Sequence, residues 1–359
     1  MRWALLISGA LALVTMATGA IGARSAPPAG LIAFAGGPGT HPDVYVVVPD
    51  GTGRRQLTRT PTDDELCPSW APDGKRIAVT VTRGQRQSWV EVITTQGRRL
   101  WRIPGASCSG WSPDGSQILF VRNNYVYAVD ADGHRARKLA LPDLGSMPVW
   151  SPDGKEVAYV SASSGGNSPS EAAKRLTIVV AGLDGTVRDA IKVTPPAWCA
   201  NPSCRLYDNY FAWAPGADIA FTLVQGDLYP ERLYAIRPDG SGQRLLSGGL
   251  TDIYWPAWSP DGKRIAFVFR NPHGEQDEIW IATADGSGVR QVTRIRSHTG
   301  NLSGCFNPAW SPDARRLSCW GHAGGMYVVD ATSGASRLIV RDAYTADDFA
   351  ASWQPAPRP

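Results

Sequence analysis

The stretch "WSPDGKRIAF" at residues 258 to 267 sets an acid, Asp261, and two bases, Lys263 and Arg264, around a glycine, the ingredients of a small active site. The chain then copies the stretch as "WAPDGKRIAV" at 70, "WSPDGSQILF" at 111, "WSPDGKEVAY" at 150, "WAPGADIAF" at 213 and "WSPDARRLSC" at 310. A catalytic centre is not duplicated in this way, so the acid and bases read as scaffold. A truncated copy, "SWQP" at 352 to 355, and an orphan "LIAF" at 31 to 34 look like the two halves of a further unit.

Other catalytic arrangements are thin. No Gly-x-Ser-x-Gly elbow is present to expose a nucleophilic serine. The histidines, His41, His134, His273, His298 and His322, lack metal-ligand spacing. The recurring Asp-Gly pairs, as in "RPDGSG" at 237 and "TADGSG" at 283, lack the spaced carboxylates ending in Glu that a helix-loop-helix calcium loop requires, and read as turns.

Carboxylates do converge once the units are aligned on their Trp. Six residues before it stand Asp64, Asp252 and Asp347, and five before it stand Glu65, Asp208 and Asp348. Tyr207, Tyr210, Phe211, Tyr254 and Trp255 lie close by. If the aligned strands surround an axis, the result is an acidic ring with aromatic neighbours, suited to a basic or mixed peptide or to a cation such as calcium. The alternative is a rim of polar strand caps facing water. No resident cofactor or structural metal is implied.

The elements that would position such a ring follow from spacing. The repeat tryptophans Trp70, Trp111, Trp150, Trp213, Trp258, Trp310 and Trp353 are 41, 39, 63, 45, 52 and 43 residues apart. A period in the low forties with four short strands per unit is the pattern of a propeller. Each unit reads as an inner strand ending in Trp, a Pro-Asp-Gly turn, a strand such as "RIAFV", a loop, a strand such as "EIWIATA", an Asp-Gly turn and an outer strand such as "VRQVT". Proline fixes φ in the first turn and glycine accepts the positive φ that closes it.

"WSPDGKRIAF" followed by "EIWIATADGSGVRQVT" resembles the TolB-like propellers, a branch of the WD-repeat-like propellers, and the likeness covers about residues 31 to 355. The resemblance implies an all-β propeller. It leaves function open among protein-binding platforms, gating domains of serine peptidases and parts of other enzymes. Two departures stand out: no stretch is left for an N-terminal α/β domain, and seven units are counted where TolB has six blades. The expectation is seven four-stranded blades, closed by pairing of the N- and C-terminal strands. Six blades is the alternative, should the unit ending at Trp213 fail to form.

In this architecture the two turn types share one face, and the loops between second and third strands and between units share the other. Every long insertion falls on that loop face, at 161–175, 195–210, 225–232, 270–278 and 294–307, and His298 lies in the last. Variable loops on a rigid scaffold are where binding residues gather.

Composition bounds the partners. The chain has 359 residues with 36 basic and 32 acidic side chains, a net charge of +4, and its basic clusters "GRR" at 53 and "RGQRQ" at 83 are short and scattered. Nucleic acid is therefore not expected. "MRWALLISGALALVTMATGAIGARSAPP" has the form of a signal peptide over residues 1–23, or of an N-terminal anchor. A linker at 24–30, one propeller at 31–355 and a tail at 356–359 would follow, in a secreted, periplasmic or cell-envelope protein. Six cysteines suit export and disulfides. Cys199 and Cys204 are the expected local pair, Cys67 and Cys108 stand at equivalent points of neighbouring units, and the pairing of Cys305 and Cys319 is left open. The functional expectation is a non-catalytic extracytoplasmic platform for a protein or peptide of the cell envelope or the outside. The alternative is a metal-assisted hydrolase or lyase acting at the channel mouth on a small molecule or glycan.

Overall fold

The computed structural model describes residues 30–355, apart from 38–40, 85–86, 124, 142–143, 145, 147, 162–175, 200–203, 217, 226–230, 271–276, 295–303, 322–324 and 342–350, and apart from the side chains of 108–109 and 207–210. The expectations for residues 1–23 and 356–359 lie outside the described residues. Among the described residues no helix is long and apolar enough to cross a membrane.

Seven four-stranded antiparallel sheets follow one another around a propeller ring. Blade 2 runs Asp64–Trp70, Arg76–Arg83, Gln87–Thr94 and Arg99–Pro104. Blade 3 runs Ser107–Trp111, Gln117–Arg122, Tyr125–Asp130 and Arg137–Lys138. Blade 4 begins at Val149–Trp150 and ends at Val187–Lys192. Blade 5 is Cys204–Trp213, Ile219–Gln225, Arg232–Ile236 and Arg244–Leu245, so the unit ending at Trp213 forms. Blade 6 is Ile253–Trp258, Arg264–Arg270, Asp277–Thr283 and Arg290–Gln291, and blade 7 starts at Cys305–Trp310. Blade 1 is shared by the two ends of the chain: Ser352–Trp353 is its innermost strand, followed by Ile32–Gly36, Asp43–Val47 and Arg55–Gln56.

The closure rests on few groups. Ile32 pairs with Trp353 and Ala33 with Ser352. Gln354 N donates to the Leu31 carbonyl, its side-chain oxygen accepts from Leu31 N, and its Nε2 donates to the Gly74 carbonyl of blade 2. Pairing the innermost strand removes a free edge that would otherwise template association.

Stacked sheets bury both faces of their central strands, which explains why "IAF"-type runs are apolar without alternation. Phe34, Phe120, Tyr159, Phe221 and Phe267 occupy the same place in successive second strands, and all are fully buried. Their cross-strand partners are aromatic in most blades: Phe34 opposes Tyr45, Phe120 opposes Tyr127 and Phe221 opposes Tyr234, with ring centroids 5.6, 5.4 and 5.9 Å apart. Blade 7 has Cys319 at this place, bonded to Cys305 and flanked by the buried Trp320. The core is thus divided into apolar layers between blades.

The Asp of the repeat closes its own turn, and the Arg reaches the next blade. Asp261 accepts from Ser259 Oγ at 2.6 Å and Lys263 N at 3.1 Å, and Asp114, Asp153 and Asp313 make the same bond to the serine two residues earlier. The serine hydroxyls hold the carboxyls of Asp114, Asp153 and Asp261 below the ordinary aspartate range. Arg264, Arg76 and Arg316 each lie over the repeat Trp of the next blade, 4.8, 4.9 and 5.5 Å from the rings of Trp310, Trp111 and Trp353. The indoles of Trp111, Trp150, Trp310 and Trp353 donate backwards to carbonyls of the preceding inner strand, at 2.9 to 3.2 Å. These copies of the motif latch neighbouring blades, whereas the indole Nε1 atoms of Trp70 and Trp258 are buried without a hydrogen-bond partner.

Candidate functional site

With the turn face occupied in this way, the loop face is where chemistry remains to be placed. Inner strands begin there, and several carry a bulge just before the repeat Trp: pairing registers shift between Leu66 and Ser69, between Tyr254 and Ala257, and between Phe306 and Ala309. The residue three before the Trp takes the left-handed conformation in each, Cys67 at φ 51°, Trp255 at 46° and Asn307 at 58°. A bulge bends the strand and re-aims its side chains. Of the expected ligand-binding residues, Trp255 is therefore set by backbone geometry as well as by sequence spacing.

The remaining expected residues are distributed as follows. Asp64 is half-exposed and meets His41 Nδ1 at 2.7 Å. Asp252 is half-buried, with a positive φ of 60°. Tyr254 is buried beside half-buried Trp255, 5.8 Å between centroids, and Trp255 lies 5.6 Å from Phe306 of blade 7. Asp208 and Tyr210 belong to the strand Cys204–Trp213, but their side chains are outside the described residues. His298, Asp347 and Asp348 are outside them altogether.

Glu65 departs from the expectation. It is 1% exposed, and its Oε2 accepts from Thr58 Oγ1 and, at 3.4 Å, from Val44 N. Its carboxyl therefore faces blade 1 rather than the mouth, because alternate residues of a strand point to opposite faces. Burial, reinforced by Glu91 and Asp43, pushes its pKa up to about 7 against the Thr58 and Val44 hydrogen bonds.

Cys199 and Cys204 are bonded, with Cα atoms 5.3 Å apart. The bond sits at the start of the blade 5 inner strand, which reaches back to Cys204 opposite Gln225. Residues 204–210 of the insertion at 195–210 are consequently strand. Because the Cys108 side chain is not among the described residues, the Cys67–Cys108 expectation lies outside them.

Several buried acids escaped the alignment on Trp. Asp63 takes Arg83 in a fork, Nε to Oδ1 at 2.5 Å and Nη2 to Oδ2 at 2.8 Å. Asp277 takes Arg270 likewise, at 2.8 and 3.1 Å. Both arginines end the second strand of their blade, a position visible in "TVTR" and "FVFR". Between blades 5 and 6, Glu231 is 3% exposed. Burial and the neighbouring Asp252 charge push its pKa up to about 7, with Arg205 and Arg270 pulling the other way. Asp252 is raised by burial too, opposed by Arg270. Glu231 Oε2 and Asp252 Oδ1 are buried and accept no hydrogen bond. Among the described residues no three His, Cys, Asp or Glu side chains come close enough to hold a metal ion together.

No family model matches the chain. It is 31% identical over 333 residues to dipeptidyl-peptidase 5 of Porphyromonas gingivalis, covering 86% of this chain and 45% of that protein. It is 32% identical over 105 residues to the Tol-Pal system protein TolB of Anaeromyxobacter dehalogenans, covering 27% of this chain and 24% of that one. An oligogalacturonate lyase solved in complex with manganese shares the fold, with a TM-score of 0.58 and 14% identity over 87% of this chain and 85% of the lyase. The chain spans less than half the length of these curated relatives.

Proposed function

We propose that this chain, a seven-bladed propeller similar to the TolB-like propellers, is a non-catalytic extracytoplasmic platform that binds a protein or peptide of the cell envelope through its loop face. The observation that carries this reading is Asp252, half-buried at the loop end of blade 6 beside the buried Glu231, with its Oδ1 lacking a hydrogen-bond partner. A buried polar atom without a partner costs roughly 1–3 kcal/mol, more when charged. A lysine or arginine of a partner that approaches the exposed side of Asp252 offsets its charge while its aliphatic stem lies along the half-buried Trp255. Asp64 contributes charge from blade 2, and Asp208, Asp347, Asp348, Tyr210 and His298 remain the proposed members from neighbouring loops.

The test is affinity for basic envelope peptides. Asp252→Asn combined with Asp64→Asn and Asp347→Asn should weaken binding at least about tenfold at low salt, since several fixed charges act together on one cation. Equal affinity of parent and triple variant refutes the reading. So does a purified chain that binds calcium alone at this mouth and no peptide.

The kinship with dipeptidyl-peptidase 5 favours a second reading, in which the loop face receives peptides destined for hydrolysis. Dipeptide release from those same peptides by the purified chain would replace the platform by an enzyme.

A further inference from the structure

Blade 2 breaks the rule that its neighbours follow. Where Tyr45, Tyr127, Tyr234 and Trp280 oppose the buried second-strand aromatic, blade 2 has Glu91 opposite Val79. Glu91 is only 7% exposed. Local violations of a consistent pattern are where function or strain is expected. Glu91 spends its charge on the blade's loop end: Oε2 accepts from Trp89 Nε1 at 3.3 Å, Arg99 Nη1 lies 3.8 Å away, and Arg102 is its cross-strand neighbour.

Directly at that end, a cleft of roughly 600 Å³ opens between blades 2 and 3. Its wall contains Arg83, Trp89 and Arg102, with Ser88, Ser107 and Asn123 among the polar groups and, among the described residues, no acidic side chain. The guanidinium carbons of Arg83 and Arg102 lie 5.4 and 5.8 Å from the Trp89 ring centre. Arg83 is anchored from behind by the fork with Asp63, which is 4% exposed. Asp63 thus holds Arg83, and Glu91 the Trp89 indole, in place from the protein side, with Arg102 over the same ring, leaving cationic, donor-rich groups toward the cleft. Behind Pro104 of the wall, Arg122 donates to the Pro104 carbonyl at 2.6 Å and lies over the Phe120 and Tyr127 rings.

We propose that this cleft binds the carboxylate of an acidic peptide segment, with Arg102 and the outer edge of Arg83 receiving the anion and Trp89 covering the adjacent apolar carbons. Guanidinium matches carboxylate in planar, two-point geometry, and the pre-anchored Arg83 loses little freedom on binding. A neutral glycan is the poorer fit, because the wall offers its hydroxyls no carboxylate acceptor among the described residues. The cleft is separate from the acidic patch of blades 5 and 6, so the proposal stands or falls independently of that site.

A fluorescein-labelled tetraglutamate peptide, capped at both ends, serves as the probe, read by anisotropy. Arg102→Glu is expected to lower affinity at least about tenfold, as for loss and reversal of one charge-assisted fork. Trp89→Ala should lower it as well. Arg135→Glu, the same charge reversal on the exposed turn face, should leave affinity within about twofold, because Arg135 follows the Tyr125–Asp130 strand at its turn end, opposite the loop end where the cleft opens, and surface charges are screened. If Arg102→Glu does not fold, Arg102→Gln with a parent-like circular dichroism spectrum takes its place. The proposal is overturned if the parent chain fails to bind tetraglutamate at millimolar concentration or binds capped tetraglutamine equally well. It is overturned too if Arg102→Glu and Arg135→Glu weaken binding alike, or if tetragalacturonate binds where tetraglutamate does not.

Discussion

Replacing Glu65 by Gln should make the propeller more stable at pH 8 and leave it nearly unchanged at pH 5. The folded chain holds the Glu65 proton up to about pH 7, whereas the unfolded chain releases it near 4.5. Between those values the folded state binds the extra proton, so its stability falls as pH rises, and the whole penalty is present above 7. Each tenfold difference in proton affinity is worth about 1.4 kcal/mol, so the interval from 4.5 to about 7 makes the penalty about 3 kcal/mol. Glutamine keeps an oxygen for Thr58 and Val44 and carries no charge to desolvate. The gain in a propeller of this size is about 5 °C in melting temperature, from an unfolding entropy of roughly 2 cal/mol/K per residue. Thermal melts of parent and variant at pH 5 and pH 8 measure it. A difference that is the same at both pH values refutes the assignment of a buried, proton-holding carboxyl. Loss of basic-peptide binding in the same variant would return Glu65 to the mouth.

The closure prediction is equally direct. Trp353→Ala removes a buried indole and its bonds to the Ala309 carbonyl at 3.0 Å and Ser318 Oγ at 2.9 Å, and should cost about 3–5 kcal/mol. Deleting residues 350–359 should cost more, and an unchanged melting temperature on deletion would rule out the closure. Gly286→Ala sets a Cβ 2.3 Å from the Leu245 carbonyl oxygen of blade 5 at a φ of 87°, and should destabilise by at least about 2 kcal/mol in chemical denaturation. Reducing the Cys199–Cys204 bond, or replacing both residues by Ser, should loosen the blade 5 inner strand at its loop end, seen as faster amide exchange at Arg205 and Leu206 with little change at Trp213.

The number of blades, the way the chain closes on itself and the harmlessness of the Asp-Lys-Arg repeat were all legible without coordinates. They depend on local rules: turn chemistry, strand periodicity and a copied Trp, which every unit states again. Glu65 was misplaced because the alignment gives distance along a strand but not the face to which a residue turns, and a bulge between Leu66 and Ser69 intervenes. The acids that matter most beside Asp252, Glu231 and Glu91, carry no repeated spacing at all. Glu231 becomes unusual only because blade 6 brings Asp252 against it, and Glu91 only because Val79 leaves it buried opposite. Desolvation and the sharing of charge between strands distant in sequence are properties of the assembled ring. Periodicity along the chain therefore determined the scaffold, while packing between blades decided which carboxylates and guanidiniums are left to meet a partner.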